Sequence, residues 1–399
     1  MSQHGTEIVI STPLRSAIGT FGGALKETPA SDLGAQVLKA VLKRSGLEPD
    51  QVNQVYVGNV LQGGQGMNPG RQVGVKAGLP YSVPAMTLNR MCGSGLQAVI
   101  SAAQDITTGD SEVCIAGGIE NMDLAPWLLP RARYGYRMGV PGGELLDSMV
   151  YDGLWDIFNE YHMGMTAENV ADKCHVTREQ ADEYSYRSHQ RATEAMKSGA
   201  FAEQIVPIEV NARKGTSEFT IDEHVRQDAS LESFHRLKPV FKSDGTVTAG
   251  NASGINDGAA FMIVTSEQKA QELGLPVSLR LVSSAVSGVD PAYMGIGPVA
   301  AICKALERAG LTIDDVDLFE INEAFAAVAI AIQKELHILD ERLNPLGGAV
   351  ALGHPIGATG AILTVKLAHE LERQDKRYGV AGLCIGGGMG IAAVFERSS

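Results

Sequence analysis

The residue with the clearest chemical setting is Cys92, which stands between an extended stretch at 86–91 and a predicted amphipathic helix at 95–106. The free N–H groups and positive partial charge of a helix N-terminus lower the pKa of a thiol and stabilise its thiolate. The Gly-Ser-Gly that follows leaves room for a substrate beside the sulfur. A cysteine without such a setting is more often structural. The setting here favours a nucleophile.

A second group suited to catalysis is His354, held between Gly353 and Pro355 just before another predicted helix. Imidazole titrates near neutral pH and a loop backbone can fix its orientation, so this residue suits a general base. A lone histidine is more often a core or surface group. This one takes, in the second half of the chain, the place that Cys92 takes in the first. Cys384 ends a predicted strand, and the glycines after it offer N–H groups to a developing oxyanion.

The chain offers two reactive cysteines and one histidine, one reactive cysteine more than a cysteine protease uses. Acyl transfer to carbon needs this count, because one thiolate holds the acyl group while a second base removes a proton from carbon. Asn322, after a predicted strand at 316–321, can orient a water or donate to a carbonyl, although a turn residue could stand there too. Cys114, Cys174 and Cys303 are predicted to be structural. Five scattered cysteines without a Cys-x-x-Cys pair predict neither a zinc site nor a disulfide scaffold.

The elements that must position these residues repeat along the chain. Residues 37–60 and 301–324 are both predicted to form an amphipathic helix that ends at a glycine and is followed by an apolar strand. Several positions, such as Gly46 and Gly310, carry the same residue at an offset of 264. A second pair, 111–121 and 380–390, follows in the same order and places Cys114 over Cys384. The repeat predicts an α/β fold of two similar halves packed about a pseudo-twofold axis.

These halves predict the domain organisation. The first half covers residues 1–120 and is completed by about 251–275, and the second half covers residues 276–399. Residues 121–250 differ in character and are predicted to be an inserted region of helix and long loop. Within it, Thr177 to Gln180 form a capping box and Gly199 stops the helix.

Composition narrows the range of partners. The chain carries 46 acidic and 33 basic residues, a formal net charge of −13, which argues against nucleic-acid and membrane-surface binding. Its 44% hydrophobic and 20% charged residues are typical of a globular protein. The N-terminus lacks a basic segment followed by an apolar stretch, and the longest apolar run, 380–395, is short for a membrane span and is interrupted by glycines. We therefore expect a soluble, cytoplasmic protein.

Six motifs in one order, spread over essentially the whole chain, resemble those of the thiolase family. They are Asn89–Gly95, His162–Gly164 with Thr166–Asn169, Thr248–Gly254, Asn322–Phe325, Gly353–Gly357 and Cys384–Gly388. The resemblance implies a duplicated thiolase-type fold, in which two βαβαβ-type halves form a layered α/β/α/β/α core with an inserted loop domain. The Tyr161–Gly164 segment and the chain length resemble the biosynthetic branch, which implies reversible Claisen condensation of two acetyl-CoA to acetoacetyl-CoA and CoA.

The resemblance also implies a role for each catalytic residue. Cys92 would carry the acyl group after activation by His354, and Cys384 would take the α-proton from the second acetyl-CoA. His354 and a water held by Asn322 would form one oxyanion hole. The backbone N–H groups of Cys92 and Gly386 would form the other.

CoA thioesters are then substrates, and neither a cofactor nor a metal is expected. The implied pantetheine contacts are Leu154, His162, Met163, Phe241, Ala249, Ser253 and Phe325, with Arg226 and Ser233 nearer the nucleotide. The family also implies a homotetramer, a dimer of dimers, joined by a loop that resembles 127–139. The arginines of this loop could instead suggest a nucleic-acid patch, which its short length and the acidic chain disfavour. Residues 62–71 resemble the loop at the dimer seam.

Several other functions fit parts of this pattern. A degradative 3-ketoacyl-CoA thiolase of fatty-acid β-oxidation uses the same chemistry on longer acyl chains, and a decarboxylating condensing enzyme would leave Cys384 without a role. An acyl-CoA hydrolase needs only Cys92 and His354, and a non-catalytic acyl-CoA binder needs neither. Because the two sulfurs must reach one region of the substrate, we also expect oxidation to link Cys92 and Cys384.

Overall fold

A computed structural model of the chain describes residues 6–138, 143–212 and 215–398. The ends of the predicted halves at residues 1 and 399, and Gly139 of the predicted interface loop, lie outside the described residues. The described strands are β1 (Ile8–Ser16), β2 (Gly19–Thr20), β3 (Gln54–Gly58), β4 (Ala85–Leu88), β5 (Val113–Asn121), β6 (Trp127–Leu128), β7 (Leu146–Asp147), β8 (Trp155–Asp156), β9 (Tyr161–His162), β10 (Ile205–Val206), β11 (Ile208–Ala212), β12 (Gly215–Phe219), β13 (Asn256–Ser266), β14 (Val277–Gly288), β15 (Leu318–Ile321), β16 (Tyr378–Ile385) and β17 (Met389–Arg397).

The described α-helices are α1 (Ala30–Ser45), α2 (Pro69–Ala77), α3 (Ser94–Thr108), α4 (Ser148–Gly153), α5 (Met163–Lys173), α6 (Arg178–Ser198), α7 (Leu231–His235), α8 (Glu267–Leu273), α9 (Gly297–Ala309), α10 (Ala326–Leu336), α11 (Ala349–Leu352) and α12 (Thr359–Arg373). Short 3₁₀ helices are Pro49–Gln51, Ala132–Tyr134, Pro291–Ile296, Ile313–Asp315 and Asp340–Arg342.

The main sheet shows the two halves of the repeat meeting edge to edge. Its order is β15-β16-β17-β14-β1-β13-β5-β3-β4, and the halves join at the antiparallel pair β1–β14. In the first half β3 lies parallel to β5, and β5 lies antiparallel to β13. In the second half β15 lies parallel to β16, and β16 lies antiparallel to β17. In the first half, β4 lies parallel to β3 at the edge of the sheet. In the second half the equivalent place beside β15 is taken by Leu343, which forms a single parallel bridge with Phe319.

Helices divide these halves into layers. α1 and α2 pack on the outer face of the first half, and α9 packs on the outer face of the second with α10 beside it. α3 and α12 pack against each other and contact strands of both halves. This arrangement gives the helix–sheet–helix–sheet–helix order that was predicted.

α3 shows how the sequence produces the central layer. The apolar residues of the predicted 95–106 helix recur every three or four positions, and this face is buried. The helix ends at Gly109, whose left-handed conformation (φ 83°) glycine adopts without strain. Gly95 and Gly360 let α3 and α12 cross with their backbones in contact, since a Cβ on Gly95 would lie 2.6 Å from the nitrogen of Ala361. The N-termini of the two helices are thereby brought together.

The register of the sheet corrects one predicted correspondence. Gln54 pairs with Cys114, and its repeat partner Leu318 pairs with Gly379. The counterpart of Cys114 is therefore Gly379, and the predicted match with Cys384 is wrong. Cys384 lies further along its strand, next to the last residue of β16. The small residues at the ends of β5 and β16 look alike in sequence, but the backbone pairing of these strands with β3 and β15 follows a different register.

The chain between β5 and β13 lies mostly outside the main sheet. It forms the two-stranded sheets β6–β7, β8–β9 and β11–β12, together with α4 to α7. α6 begins with the predicted capping box at Thr177 and ends at Gly199 in a left-handed conformation. A buried ion pair between Arg15 of β1 and Asp222 holds this segment against the first half. The assignment of residues 121–250 to a separate inserted domain stays a prediction.

Two further findings concern only the residues that the structure describes. No helix among them is both long and apolar enough to cross a lipid bilayer. The same part of the chain holds no group of three or more His, Cys, Asp or Glu side chains that could bind a metal ion.

Candidate active site

One cavity of about 220 Å³ brings together the three groups on which the predicted chemistry depends. Cys92 reaches it from the turn before α3, and His354 from the loop between α11 and α12. Cys384 reaches it from the end of β16, and the backbone of Gly386 adjoins it. The crossing of α3 and α12 therefore places the nucleophile candidate beside the base candidate.

Hydrogen bonds assign the tautomer of His354. The Thr359 hydroxyl donates to the carbonyl oxygen of Pro355 at 2.9 Å, and its Oγ1 lies 2.6 Å from Nδ1 of His354. Thr359 therefore accepts the Nδ1–H. On the other side of the ring, Nδ2 of Asn322 lies 3.3 Å from Nε2 and donates to it. The imidazole is then neutral with an acceptor lone pair on Nε2, the state required of a general base.

Burial keeps the three reacting groups uncharged in the resting site. It lowers the pKa of His354 to about 4. Desolvation raises the pKa of Cys92 to about 11, although the N–H groups of Gly386 and of Cys92 itself favour the thiolate. Burial raises the pKa of Cys384 well above its usual range, and the neighbouring Cys92 adds to this shift. The expectation of a lowered thiol pKa is therefore wrong for the resting site, because desolvation outweighs the N–H donors.

Cys92 and Gly386 line the cavity, whereas Asn322 is fully buried behind His354 and is not part of the cavity wall. The N–H groups of Cys92 and Gly386 lie near enough to the Cys92 sulfur to oppose the rise of its pKa. Both residues line the cavity, so these N–H groups are candidates for an oxyanion hole. On the His354 side, Oδ1 of Asn322 is buried and has no partner among the described residues. A buried acceptor of this kind suits a bound water or a donor from the substrate.

Six of the nine predicted binding residues line the cavity. They are Leu154, His162, Met163, Phe241, Ser253 and Phe325. The rings of His162 and Phe241 stack at 4.7 Å, and Nδ1 of His162 accepts the N–H of Gly164. A side chain at Gly164 would overlap the Phe241 ring, so only glycine allows this stack.

The other three predicted binding residues lie away from the cavity wall. Arg226 donates to the carbonyl oxygen of Ala249 at 3.2 Å, which ties those two residues together. Ser233 is exposed in α7, where it completes a capping box with Ser230. The structure therefore does not bring Arg226, Ala249 and Ser233 into contact with the reacting groups.

Family models match both halves of the chain. Residues 8–268 match the thiolase N-terminal domain, and residues 275–397 match the thiolase C-terminal domain. The chain belongs to the thiolase family. The predicted family and its layered, duplicated fold are thereby confirmed.

Three similar proteins show how far the match extends. An acetyl-CoA acetyltransferase of Cupriavidus necator is 52% identical over 393 residues, which are 98% of this thiolase and 100% of the relative. The crystal structure of the Bacillus anthracis acetyl-CoA acetyltransferase has a TM-score of 0.97 at 46% identity, with 100% of both chains covered. The structure of human mitochondrial 3-ketoacyl-CoA thiolase in complex with CoA has a TM-score of 0.95 at 41% identity, with 98% of both chains covered.

Several residues around the cavity of this thiolase were not predicted from the sequence. Met122, Met294 and Ile356 complete the apolar wall, and nothing in their local sequence marks them. Asn256 accepts the backbone N–H of His354 at 2.9 Å from a distant strand. Thr359 did carry a signal, since it is a hydroxyl residue in the first turn of the helix that follows the loop histidine.

The remaining cysteines lie outside the cavity. All five cysteines are free thiols. Cys114 is buried in β5 and Cys174 is half-buried after α5, which agrees with structural roles. Cys303 is exposed on α9, so it is not part of the core, and its structural role stays a prediction. Its position in a helical pattern did not reveal which face of the helix it occupies.

Proposed function

We propose that this thiolase is an acetyl-CoA C-acetyltransferase, which converts two acetyl-CoA reversibly to acetoacetyl-CoA and CoA through an acetyl-Cys92 intermediate. The observation that carries the proposal is that Cys92, a neutral His354 with Nε2 as acceptor, and Cys384 share one cavity. The bacterial relatives named acetyl-CoA acetyltransferase support it over nearly their whole length. CoA thioesters are then substrates, and no cofactor enters the reaction.

In the first half of thiolysis, Nε2 of His354 takes the proton of the Cys92 thiol as the sulfur attacks the 3-keto carbon of acetoacetyl-CoA. The N–H groups of Cys92 and Gly386 stabilise the oxyanion, and loss of one such donor typically costs about 2.7–4 kcal/mol of barrier. The C–C bond then breaks, leaving acetyl-Cys92 and the enolate of acetyl-CoA. His354, now protonated, and a water on Asn322 stabilise the enolate oxygen.

Cys384 then completes the proton transfers. Its thiol protonates the enolate carbon to release acetyl-CoA, and the raised pKa of Cys384 keeps that proton available. In the second half, the resulting thiolate takes the proton of an incoming CoA thiol, which attacks acetyl-Cys92. His354 returns its proton to the Cys92 sulfur as the second acetyl-CoA leaves. The condensation reaction runs through the same steps in reverse.

Bulky apolar side chains around the reacting groups support the short-chain reaction over degradative thiolysis. Met122, Met163, Met294 and Ile356 surround the reacting groups, and about 220 Å³ remains for the substrate. The human 3-ketoacyl-CoA thiolase has a very similar fold, so the fold by itself does not select chain length.

The decisive experiment compares kcat/KM for CoA-dependent thiolysis of acetoacetyl-CoA and 3-ketooctanoyl-CoA. We expect a preference for acetoacetyl-CoA of two decades or more, roughly 3 kcal/mol at the transition state. Comparable values would assign the enzyme to fatty-acid β-oxidation with the residue roles unchanged. Hydrolysis of acetyl-CoA without thiolysis of either substrate would contradict the two-cysteine mechanism.

We also propose that the enzyme assembles as a dimer of dimers. Trp127 and Tyr134, on the loop around β6 and β7, expose 63% and 88% of their surfaces, and Met138 is fully exposed. Aromatic and methionine side chains are enriched in protein interfaces. β4 is the edge strand of the main sheet, which leaves its outer backbone groups for a second copy. Sedimentation velocity of the native chain and of Tyr134→Glu should give a tetramer and a dimer respectively.

The free cysteines and the residues of the inserted stretch indicate a location and a role for that stretch. A cytoplasmic location suits five free thiols, two of which must stay reduced for catalysis. Residues 121–250 act as the CoA-binding and tetramerisation unit, because Leu154, His162 and Phe241 come from this stretch. Arg226 and Ser233 contact the nucleotide at the edge of this unit.

A further inference from the structure

Glu120 is a fully buried carboxylate near the end of β5, held by four N–H groups. Its Oε1 accepts Nδ2 of Asn59 at 2.7 Å and the backbone N–H of Leu61 at 3.2 Å. Its Oε2 accepts the backbone N–H groups of Gly357 at 2.8 Å and Val60 at 3.1 Å. All four partners are donors, so a protonated carboxyl would set its O–H against an N–H. Four donors and no acceptor among these partners favour the ionised carboxylate over the protonated acid.

Within the part of the chain that the structure describes, no Lys or Arg pairs with this carboxylate. Burial raises the pKa of Glu120 to about 7, the four N–H donors oppose that shift, and no Lys or Arg contributes. An isolated buried charge is expensive, and hydrogen bonds to the charged form are the remaining way to stabilise it. A neutral side chain could fill the same space with a smaller desolvation free energy. The charge at this position therefore needs a functional explanation.

The four donors belong to two different loops of the site. Asn59, Val60 and Leu61 follow β3, whereas Gly357 stands three residues after His354. The approach is close, because a Cβ on Gly357 would lie 2.8 Å from Oε2 of Glu120.

Cys92 packs against the side chains of the same two loops. Val60, Leu61 and Ile356 form a small apolar cluster with Met122, and Cys92 contacts this cluster. The charge of Glu120 also acts on Cys92, where it adds to the burial that disfavours the thiolate. Glu120 thus influences both members of the candidate nucleophile–base pair without lining the cavity.

We propose that Glu120 is a positioning residue for acyl transfer, which clamps the His354 loop to the loop after β3 and keeps a negative charge beside Cys92. The clamp fixes the distance over which the proton moves from sulfur to imidazole. The charge keeps Cys92 as a thiol until His354 accepts its proton. This inference rests on the proposed function, since it takes Cys92 and His354 as the reacting pair.

The test is Glu120→Gln, which keeps the size, removes the charge and turns an NH₂ group toward N–H donors. We expect kcat for thiolysis of acetoacetyl-CoA to fall on the order of 10²-fold, because small misplacements of reacting groups have large effects. KM should change by less than about threefold, since the substrate-contacting wall is intact. The rate of Cys92 alkylation by iodoacetamide should be measured against pH. Its midpoint should lie at a lower pH than in the native enzyme, and the rate on the high-pH plateau should be unchanged.

Two further variants separate this role from a general loss of stability. Glu168→Gln alters another buried carboxylate that accepts backbone N–H groups, those of Thr246 and Val247, and should leave the alkylation midpoint unchanged. Asn59→Ala removes one donor but leaves the charge, so kcat should fall while the midpoint stays. It also provides the test if Glu120→Gln does not fold. A native kcat in Asn59→Ala and in any folded Glu120→Gln would overturn the inference, and so would an unmoved midpoint in folded Glu120→Gln.

Cys92→Ser distinguishes failure of this inference from failure of the proposed function. Thiolysis that persists in Cys92→Ser would contradict the proposed function itself. An inactive Cys92→Ser beside a fully active Glu120→Gln would contradict only the role of Glu120.

Discussion

Oγ1 of Thr359 lies 2.6 Å from Nδ1 of His354 and is an acceptor there, because its own proton goes to the carbonyl oxygen of Pro355. A serine protease obtains the same tautomer from a buried aspartate. A neutral hydroxyl adds no negative charge to the ring, so the pKa of His354 stays low and Nε2 holds no proton at rest. The imidazole can then take the proton of the Cys92 thiol on Nε2 once that proton replaces the N–H of Asn322 there.

Thr359→Val is expected to lower kcat by about 10–100-fold, since the base depends on this acceptor. A buried Nδ1–H without a partner costs about 1–3 kcal/mol, which favours moving the proton to Nε2. There the free Oδ1 of Asn322 can accept it after the amide turns. Thr359→Ser keeps the hydroxyl and is the matched control. Steady-state kinetics and ¹⁵N NMR of the imidazole test this, and a native rate with an unprotonated Nε2 in Thr359→Val would contradict it.

Cys384→Ala should abolish thiolysis while leaving Cys92 open to acetylation by acetyl-CoA. C–C bond cleavage needs Cys384 to protonate the enolate carbon. Acetylation by acetyl-CoA needs only His354 as the base for Cys92, because CoA is a good leaving group as a thiolate even without a proton from Cys384. Mass spectrometry of the denatured variant after incubation with acetyl-CoA should show one acetyl group per chain on Cys92. Cys92→Ser, which lacks the thiol, serves as the unlabelled control. Thiolysis at a native rate in Cys384→Ala would support an acyl-transfer route with one cysteine instead.

The pH dependence follows from two shifts of opposite sign. The pKa of Cys92 is raised to about 11, so its thiolate fraction rises as pH approaches 11 and is small at pH 7. The pKa of His354 is lowered to about 4, so the imidazole stays neutral until pH falls toward 4. Alkylation of Cys92 should therefore accelerate about tenfold per pH unit above neutrality. An alkylation midpoint at or below the usual thiol value of about 8.5 would contradict this prediction.

Oxidation is expected to join Cys92 to Cys384. The two sulfurs face one cavity, and the charge of Cys92 is close enough to raise the pKa of Cys384. Peptide mapping after treatment with peroxide should recover a linked pair, and dithiothreitol should restore thiolysis. Activity lost without a linked pair would point to over-oxidation of one sulfur.

Gly95→Ala should destabilise the fold and lower activity together. The added Cβ would lie 2.6 Å from the nitrogen of Ala361, so α3 and α12 must move apart. Overpacking of this kind costs about 1–3 kcal/mol. Gly288→Ala is the control, because a Cβ there meets nothing within 4 Å. Thermal unfolding and kcat measure both effects, and a native melting temperature in Gly95→Ala would show that the helices tolerate the shift.

Short-range features could be predicted because neighbouring residues decide them. The apolar face of α3, the capping box at Thr177 and the glycine stop at Gly199 are all where they were expected. These depend on helical periodicity and on backbone groups left free at helix ends. The order of motifs likewise sufficed to predict the family.

The sequence by itself thus determined the two-half α/β architecture, the family and the residue types available for acyl transfer. Only the tertiary structure decided the register of β16, the protonation states of Cys92 and His354, and the contacts of Thr359 and Glu120. Register and burial depend on segments far apart in the chain, as the hydrogen bond between Glu120 and Gly357 illustrates. The N-terminus of α3 predicted a lowered thiol pKa, but desolvation by distant residues reversed its sign.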